Sequence, residues 1–281
     1  MVSSSPGQEQ VRSLALLFAI FILSLTATYT LATDFTRVWT GFLAVAGLAN
    51  HALFFRRAYW FSMTLALALN LFYRYEIAAN HYFLSVYVSA LFAVWVAPDG
   101  TRFVKVGGTL LALVMVFAVV GKLLSPYYLK GNLVGEVFLT GSLSGPLRLV
   151  WPEIRLSVNH YVVNFEAAKA IPPGVAVGLA ASVPSTAFAS FCQATAISII
   201  VIEGLVAAAF AARWKHQAAL LAIFLWGTYI FRAEHHFLAL LAFLGLTSLE
   251  SPMSRYGKIL RLSFYFFVVM GTVQYRPAFL H

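Results

Sequence analysis

The sequence predicts an all-α integral membrane protein, a bundle of about nine transmembrane helices with one long external loop. Three observations predict it. Charged residues make up 10 % of the 281-residue chain against 61 % hydrophobic ones, and the mean hydropathy is +0.82. A soluble domain carries roughly 25 % charged residues, so there is too little polar side chain here to cover a water-facing surface. The apolar runs are continuous over lengths near the roughly 20 residues that cross a bilayer, which selects helices over the alternating pattern of a β-barrel. The connections are short and polar, and their net-positive members fall on alternate turns of the chain.

The elements follow in order. Residues 13–32 form the first span; the polar segment Met1 to Arg12 before it, with no small-residue cleavage site behind, predicts a retained helix rather than a signal peptide. Spans over 37–55 and 59–79 follow, separated by Arg56 and Arg57. The fourth, 81–97, opens after Asn80 and stops at the turn Pro98-Asp99-Gly100. The fifth, 104–124, contains the run Val106 to Val120 and ends on Lys122. Spans over 190–212, 217–231, 235–249 and 259–275 complete the set. Those at 217–231 and 235–249 are short, and need flanking residues or local thinning of the bilayer. Between 125 and 189 lies the long loop, read as an external cap with Trp151, Tyr161 and Phe165 as interfacial anchors. Its moderately apolar pieces, 132–150 and 174–189, carry glycines, Pro146 and Pro184, and fit interfacial or re-entrant segments better than full spans. The whole chain, 1–281, reads as one membrane domain.

Charge sets the orientation. The connections with Arg56 and Arg57, with Asp99, Arg102 and Lys105, with Arg213 and Lys215, and with Arg255, Lys258 and Arg261 against Glu250 are all net positive and lie on one side. The other side carries the balanced pairs Asp34 with Arg37, Arg74 with Glu76, and Arg232 with Glu234. The positive-inside rule makes the first side cytoplasmic, giving an internal N-terminus and an external C-terminus in a multi-pass protein of a bacterial inner membrane. The net charge of +9 is thereby accounted for at the membrane surface. No nucleic-acid motif accompanies it, and membrane lipids are the expected partners. The single cysteine, Cys192, excludes an intrachain disulfide and a CxxC shuttle, so redox chemistry requires a bound cofactor.

Alternation also gathers the chemistry. Arg74, Glu76, Asn80, His81, Lys122, Arg232, Glu234, His235 and His236 fall at the outer ends of spans, whereas the inner ends carry mostly unaccompanied cations. Ionisable residues within spans are costly and usually face a bundle interior or a cavity, so the pattern predicts one polar pocket open to the outer leaflet and roofed by the long loop. Lys122 at a span end can snorkel its ammonium to the interface, or sit partly desolvated in a pocket and serve as a base. Arg74 and Glu76, two apart, cannot share a helical face, and each needs its own partner. His81 is either an interfacial histidine, or a proton carrier or electrostatic donor to a bound anion at a helix start. Glu234-His235-His236 invites a metal, but adjacent histidines diverge by about 100° on a helix and no HxxxH or HxxHH boxes occur, so no metal is expected. Glu203, mid-span, is an acid that needs a partner, as a helix–helix contact or as part of the pocket. Asn159-His160-Tyr161 repeats Asn80-His81-Tyr82 in the external loop, read as coincidence.

Asn80-His81-Tyr82-Phe83-Leu84, the segment Gly121-Lys122-Leu123 followed by Tyr128 and Gly131, and the Glu203 span ending in a basic turn together resemble the HTTM membrane domain. That is the domain of vitamin K-dependent γ-glutamyl carboxylase and its bacterial relatives. The resemblance covers most of the chain, and its sharper pieces are the Asn-His-aromatic helix start and the Gly-Lys-Leu segment. It implies a helical bundle that holds a reduced quinone near its outer side. A lysine matching Lys122 would deprotonate that cofactor, a histidine matching His81 would stabilise charge, and Asn80 would orient substrate. Tyr128, Arg74, Glu76, Arg232 and His235 are then the candidate cofactor contacts. Outside its spans the chain has the loop and a short tail, without the large lumenal portion with which the carboxylase grips protein, so a small or membrane-borne substrate is expected. The function read in this way is a quinone-linked oxidoreductase or carboxylase acting at the outer leaflet. The alternative is a non-catalytic subunit of a membrane protein complex that binds lipid, quinone or pigment, motivated by the Ala/Gly-rich face from Gly204 to Ala212.

Overall fold

The computed structural model describes residues 6–28, 34–73, 80–95, 100–140, 149, 151–152, 185–231, 235–249 and 255–273. Among these the regular structure is entirely helical. In chain order the helices are α1 (Pro6–Thr28), α2 (Asp34–Ala49), a 3-10 segment (His51–Phe55), α3 (Arg57–Tyr73), α4 (Asn80–Trp95), α5 (Gly100–Leu123), α6 (Pro126–Leu129), α7 (Asn132–Thr140), α8 (Thr186–Ala211), α9 (Gln217–Phe231), α10 (His235–Leu246) and α11 (Arg255–Val273).

Each apolar stretch read from the sequence overlies one of the longer helices, with ends displaced by a few residues where a cap decides them. The stretch 37–55 is broken at Asn50, whose extended backbone and side chain, accepting from the Ala52 amide at 3.2 Å, start the 3-10 segment. Ser185 caps α8 by accepting from the Phe188 amide, so that helix begins four residues before the expected 190. At its other end α8 stops where Arg213 adopts a left-handed φ of 51°. Part of the expected loop 125–189 is helical: Ser125 and Pro126 start α6 in the favoured cap and first-turn positions, and α7 follows. At nine residues α7 is about 14 Å long, too short to cross a bilayer. Tyr161 and Phe165 lie outside the described residues.

The chain divides into two compact units. The first comprises Met1–Leu111, Arg213–Leu225 and Glu234–Tyr275. Its centre is aromatic: Trp60 stacks on Phe92 at 4.2 Å, while Phe18 lies against Trp60, Phe92 and Phe243. These rings join α1, α3, α4 and α10. The buried Trp60 indole donates to the Phe54 carbonyl at 2.9 Å, so its polar edge is satisfied. Toward one end, Thr36 donates to Asn70, which also donates to Thr40, a buried polar seam between α2 and α3. Gly245 permits close packing of α10, because a Cβ there would stand 2.7 Å from Leu221 and 3.0 Å from Phe264.

The second unit comprises Ala112–Ala212, Trp226–Ala233 and Arg276–His281. Here α6 and α7 pack on α8 around Tyr128, Val134, Phe138, Phe188, Cys192 and Ala196. Trp151 closes this cluster, 5.8 Å from Phe188 and 5.2 Å from Phe191.

Candidate proton-transfer site

Six of the buried residues of α8, Phe188, Cys192, Ala196, Glu203, Val206 and Phe210, are spaced as a single helical face. Glu203 is the one acid on it. A carboxylate withdrawn from water is tolerated when paired and hydrogen-bonded. Its partner is Lys122, in the last turn of α5 and two turns beyond the buried Met115. The ammonium Nζ donates to both carboxylate oxygens, at 2.8 Å to Oε1 and 2.7 Å to Oε2. The pair is asymmetric in its access: the Lys122 side chain is 23 % exposed and that of Glu203 only 6 %.

Local sequence folds a third residue onto this pair. The Ser125 amide donates to the Lys122 carbonyl at 3.2 Å, and the Ser125 hydroxyl accepts from the Tyr128 amide at 3.2 Å. This reversal carries the Tyr128 ring to 5.5 Å from Nζ, within range for a cation–π interaction. Gly131 then ends the turn at φ +77°, donating its amide to the Tyr128 carbonyl at 2.8 Å. Glycine is required there twice over, since a Cβ would also meet the α8 backbone at 2.5 Å from the Gln193 nitrogen. The Tyr127 hydroxyl donates to Glu136 at 2.8 Å, tying α6 to α7.

Three of the residues singled out from the sequence, Lys122, Tyr128 and Glu203, are thus brought together. The acid's need for a partner was legible; that the partner is Lys122 was not, because the two stand 81 residues apart. Asn80 and His81 occupy the first turn of α4, with side chains outside the described residues. Arg74, Glu76 and Arg232 also lie outside them. His235 starts α10 in the first unit, where its backbone carbonyl packs close to Gly271. Among the described residues no group of three or more His, Cys, Asp or Glu side chains gathers as a metal site would require.

Chemically, the arrangement is an ammonium and a carboxylate joined by two charge-assisted hydrogen bonds, with the nitrogen the more accessible and an aromatic face beside it. With the proton on nitrogen, the site can stabilise an oxyanion. With the proton on Glu203, the amine lone pair can accept one from an acidic hydroxyl. The chain matches no protein-family model, no curated protein and no solved structure.

Proposed function

We propose that the chain is a multi-pass membrane protein of the HTTM type, in which Lys122 and Glu203 transfer protons to and from a hydroxylated, membrane-borne substrate or cofactor. Two helices, Val106–Leu123 and Thr186–Ala211, are long and apolar enough to cross a membrane, and only 22 % and 33 % of their most apolar windows are buried. A core helix of a soluble protein would be mostly buried, whereas lipid-facing side chains need no protein cover. The exposed stripes Phe35, Val38, Phe42 on α2 and Ile259, Leu262, Phe266 on α11 support the same reading. Nine spans, an internal N-terminus and a bacterial inner membrane complete it.

The observation that carries the functional reading is the bidentate Lys122–Glu203 pair. An ionisable pair within spans is expensive, and by default marks a functional site. A reduced quinone fits the accessible group of the pair: Lys122, whose side chain is 23 % exposed, offers Nζ to a ring hydroxyl. Bound there, it would supply acidic hydroxyls and reducing electrons to oxidoreductase or carboxylase chemistry. Lys122, as the neutral amine, would accept a hydroxyl proton at Nζ, an N–H bond forming as the O–H bond breaks. Glu203 holds the ammonium in place and takes its proton to free the amine for that step. Tyr128 borders the amine on its aromatic side.

A second reading is favoured by the same geometry. Both carboxylate oxygens are used by Lys122, as in a pair that only joins α5 to α8, and the chain would then be a non-catalytic subunit of a membrane complex. The test is hydroquinone oxidation by the full chain in lipid vesicles, followed by oxygen uptake, for the native protein and for Lys122→Met/Glu203→Met. The charge-free double variant keeps the fold but loses turnover under the first reading. Equal turnover by a folded double variant removes that reading.

A further inference from the structure

We propose that one end of the first unit binds the phosphodiester headgroups of anionic phospholipids, an inference that rests on the membrane reading above. Contacts within the unit fix which residues share this end. Arg12 of α1 donates to His51 of the 3-10 segment at 2.7 Å. Beyond the aromatic layer of Phe18, Trp60, Phe92 and Phe243, the chain runs to the start of α3 and the end of α10 on the same side. Gly245, near the end of α10, packs on Leu221 of α9 and Phe264 of α11, which brings the starts of those two helices to that side as well. The opposite end is marked separately, by Ser24 donating to the Thr272 carbonyl and by the Thr36–Asn70 bond.

The first end therefore carries Arg56 and Arg57 before α3, Arg213 and Lys215 before α9, and Arg255 and Lys258 on α11, all exposed. Among the described residues none of the six is ion-paired, and Glu9 is the one acid near them in α1. The acids of the neighbouring connections, Asp99 and Glu250, lie outside the described residues. Exposed aromatics stand among the cations. Trp214 lies between Arg213 and Lys215, and Tyr256 beside Arg255. Exposed Ile259 and Leu262 follow on α11. Guanidinium groups chelate phosphate oxygens, indole and phenol rings sit at headgroup level, and the apolar residues beyond meet acyl chains.

Arg213 supplies a discriminating feature. Its left-handed φ of 51° is a conformation that glycine adopts without cost and arginine does not. Arg213→Gly thus relieves the turn while deleting a cation, so a purely structural role and a headgroup role predict opposite outcomes.

The full chain is incorporated into vesicles of phosphatidylcholine alone and with added phosphatidylglycerol, floated, re-extracted in mild detergent, and its retained lipid measured. The native protein is expected to keep phosphatidylglycerol in large excess over phosphatidylcholine, with inorganic phosphate failing to displace it. Each cation removed should lower that preference about five-fold, and the pairs Arg56→Gln/Arg57→Gln and Arg213→Gly/Lys215→Gln about twenty-fold. Arg213→Gly should unfold no more readily than the native protein. Equal retention of the two lipids by the native protein, or variants that keep the preference, overturn the inference while leaving the membrane reading intact. Failure to float with either vesicle removes both.

Discussion

Replacing Lys122 by methionine leaves the α5 stem almost unchanged in volume and removes one charge from a pair held at 2.7 and 2.8 Å. At that separation, and an effective dielectric constant of about 20, the gross attraction is about 6 kcal/mol. Most of it is offset by the cost of withdrawing both groups from water, so the pair's net contribution is small. Removing one partner is different, since it strands the other, and costs about 3–5 kcal/mol. The two single variants should not be equivalent. Lys122→Met strands a carboxylate that is 6 % exposed and should fall at the upper end of that range, whereas Glu203→Met leaves an amine that is 23 % exposed and reaches solvent, at the lower end. The double variant Lys122→Met/Glu203→Met should recover most of the loss and lie within about 2 kcal/mol of the native protein, so that the coupling is about 6 kcal/mol. Equilibrium denaturation in mixed micelles, followed by tryptophan fluorescence, reads all four corners of the cycle. A Lys122→Met protein within about 1 kcal/mol of the native one, or single losses that simply add in the double variant, would refute the pairing argument.

Other positions yield further expectations. Gly131→Ala combines a left-handed backbone with a Cβ 2.5 Å from the Gln193 nitrogen, and should cost about 2–4 kcal/mol in the same assay. A neutral outcome would mean that α6 and α7 do not pack on α8 as described. Trp60→Ala empties the centre of the first unit and leaves the Phe54 carbonyl without its donor, for a loss of about 3–5 kcal/mol; a loss under 1 kcal/mol would place the indole elsewhere, an order-of-magnitude threshold set by surface substitutions. Gly245→Ala should cost about 1–3 kcal/mol through overpacking against Leu221 and Phe264, and Leu221→Ala in the same chain should recover part of it.

The helical fold was legible because it follows from local facts: continuous apolar runs with basic residues between them. Boundaries were less so. The α8 start depends on a cap at Ser185, and the 3-10 segment on the side chain of Asn50, details that an apolar window averages away. In the candidate site, Lys122 and Tyr128 lie within one short segment, and so could be singled out together. The Lys122–Glu203 pair joins helices far apart in sequence, and a single sequence holds no signal for which distant charge answers which. In the sequence Gly131 stands out only as the end of the Gly-Lys-Leu segment. Its physical reason, the approach of two backbones, appears only in three dimensions. The expected partnership of Lys122 with His81 falls on a side chain outside the described residues.

The account's central claim is that the Lys122–Glu203 pair handles protons for a membrane-borne hydroxyl compound, beyond joining two helices. Extraction of reduced and oxidised quinones from the native protein and from Lys122→Met/Glu203→Met, purified identically from a quinone-containing membrane, tests it most directly. The account predicts bound quinone in the native protein and its loss from a double variant of native stability. Equal quinone content in both, or none in either, would contradict it.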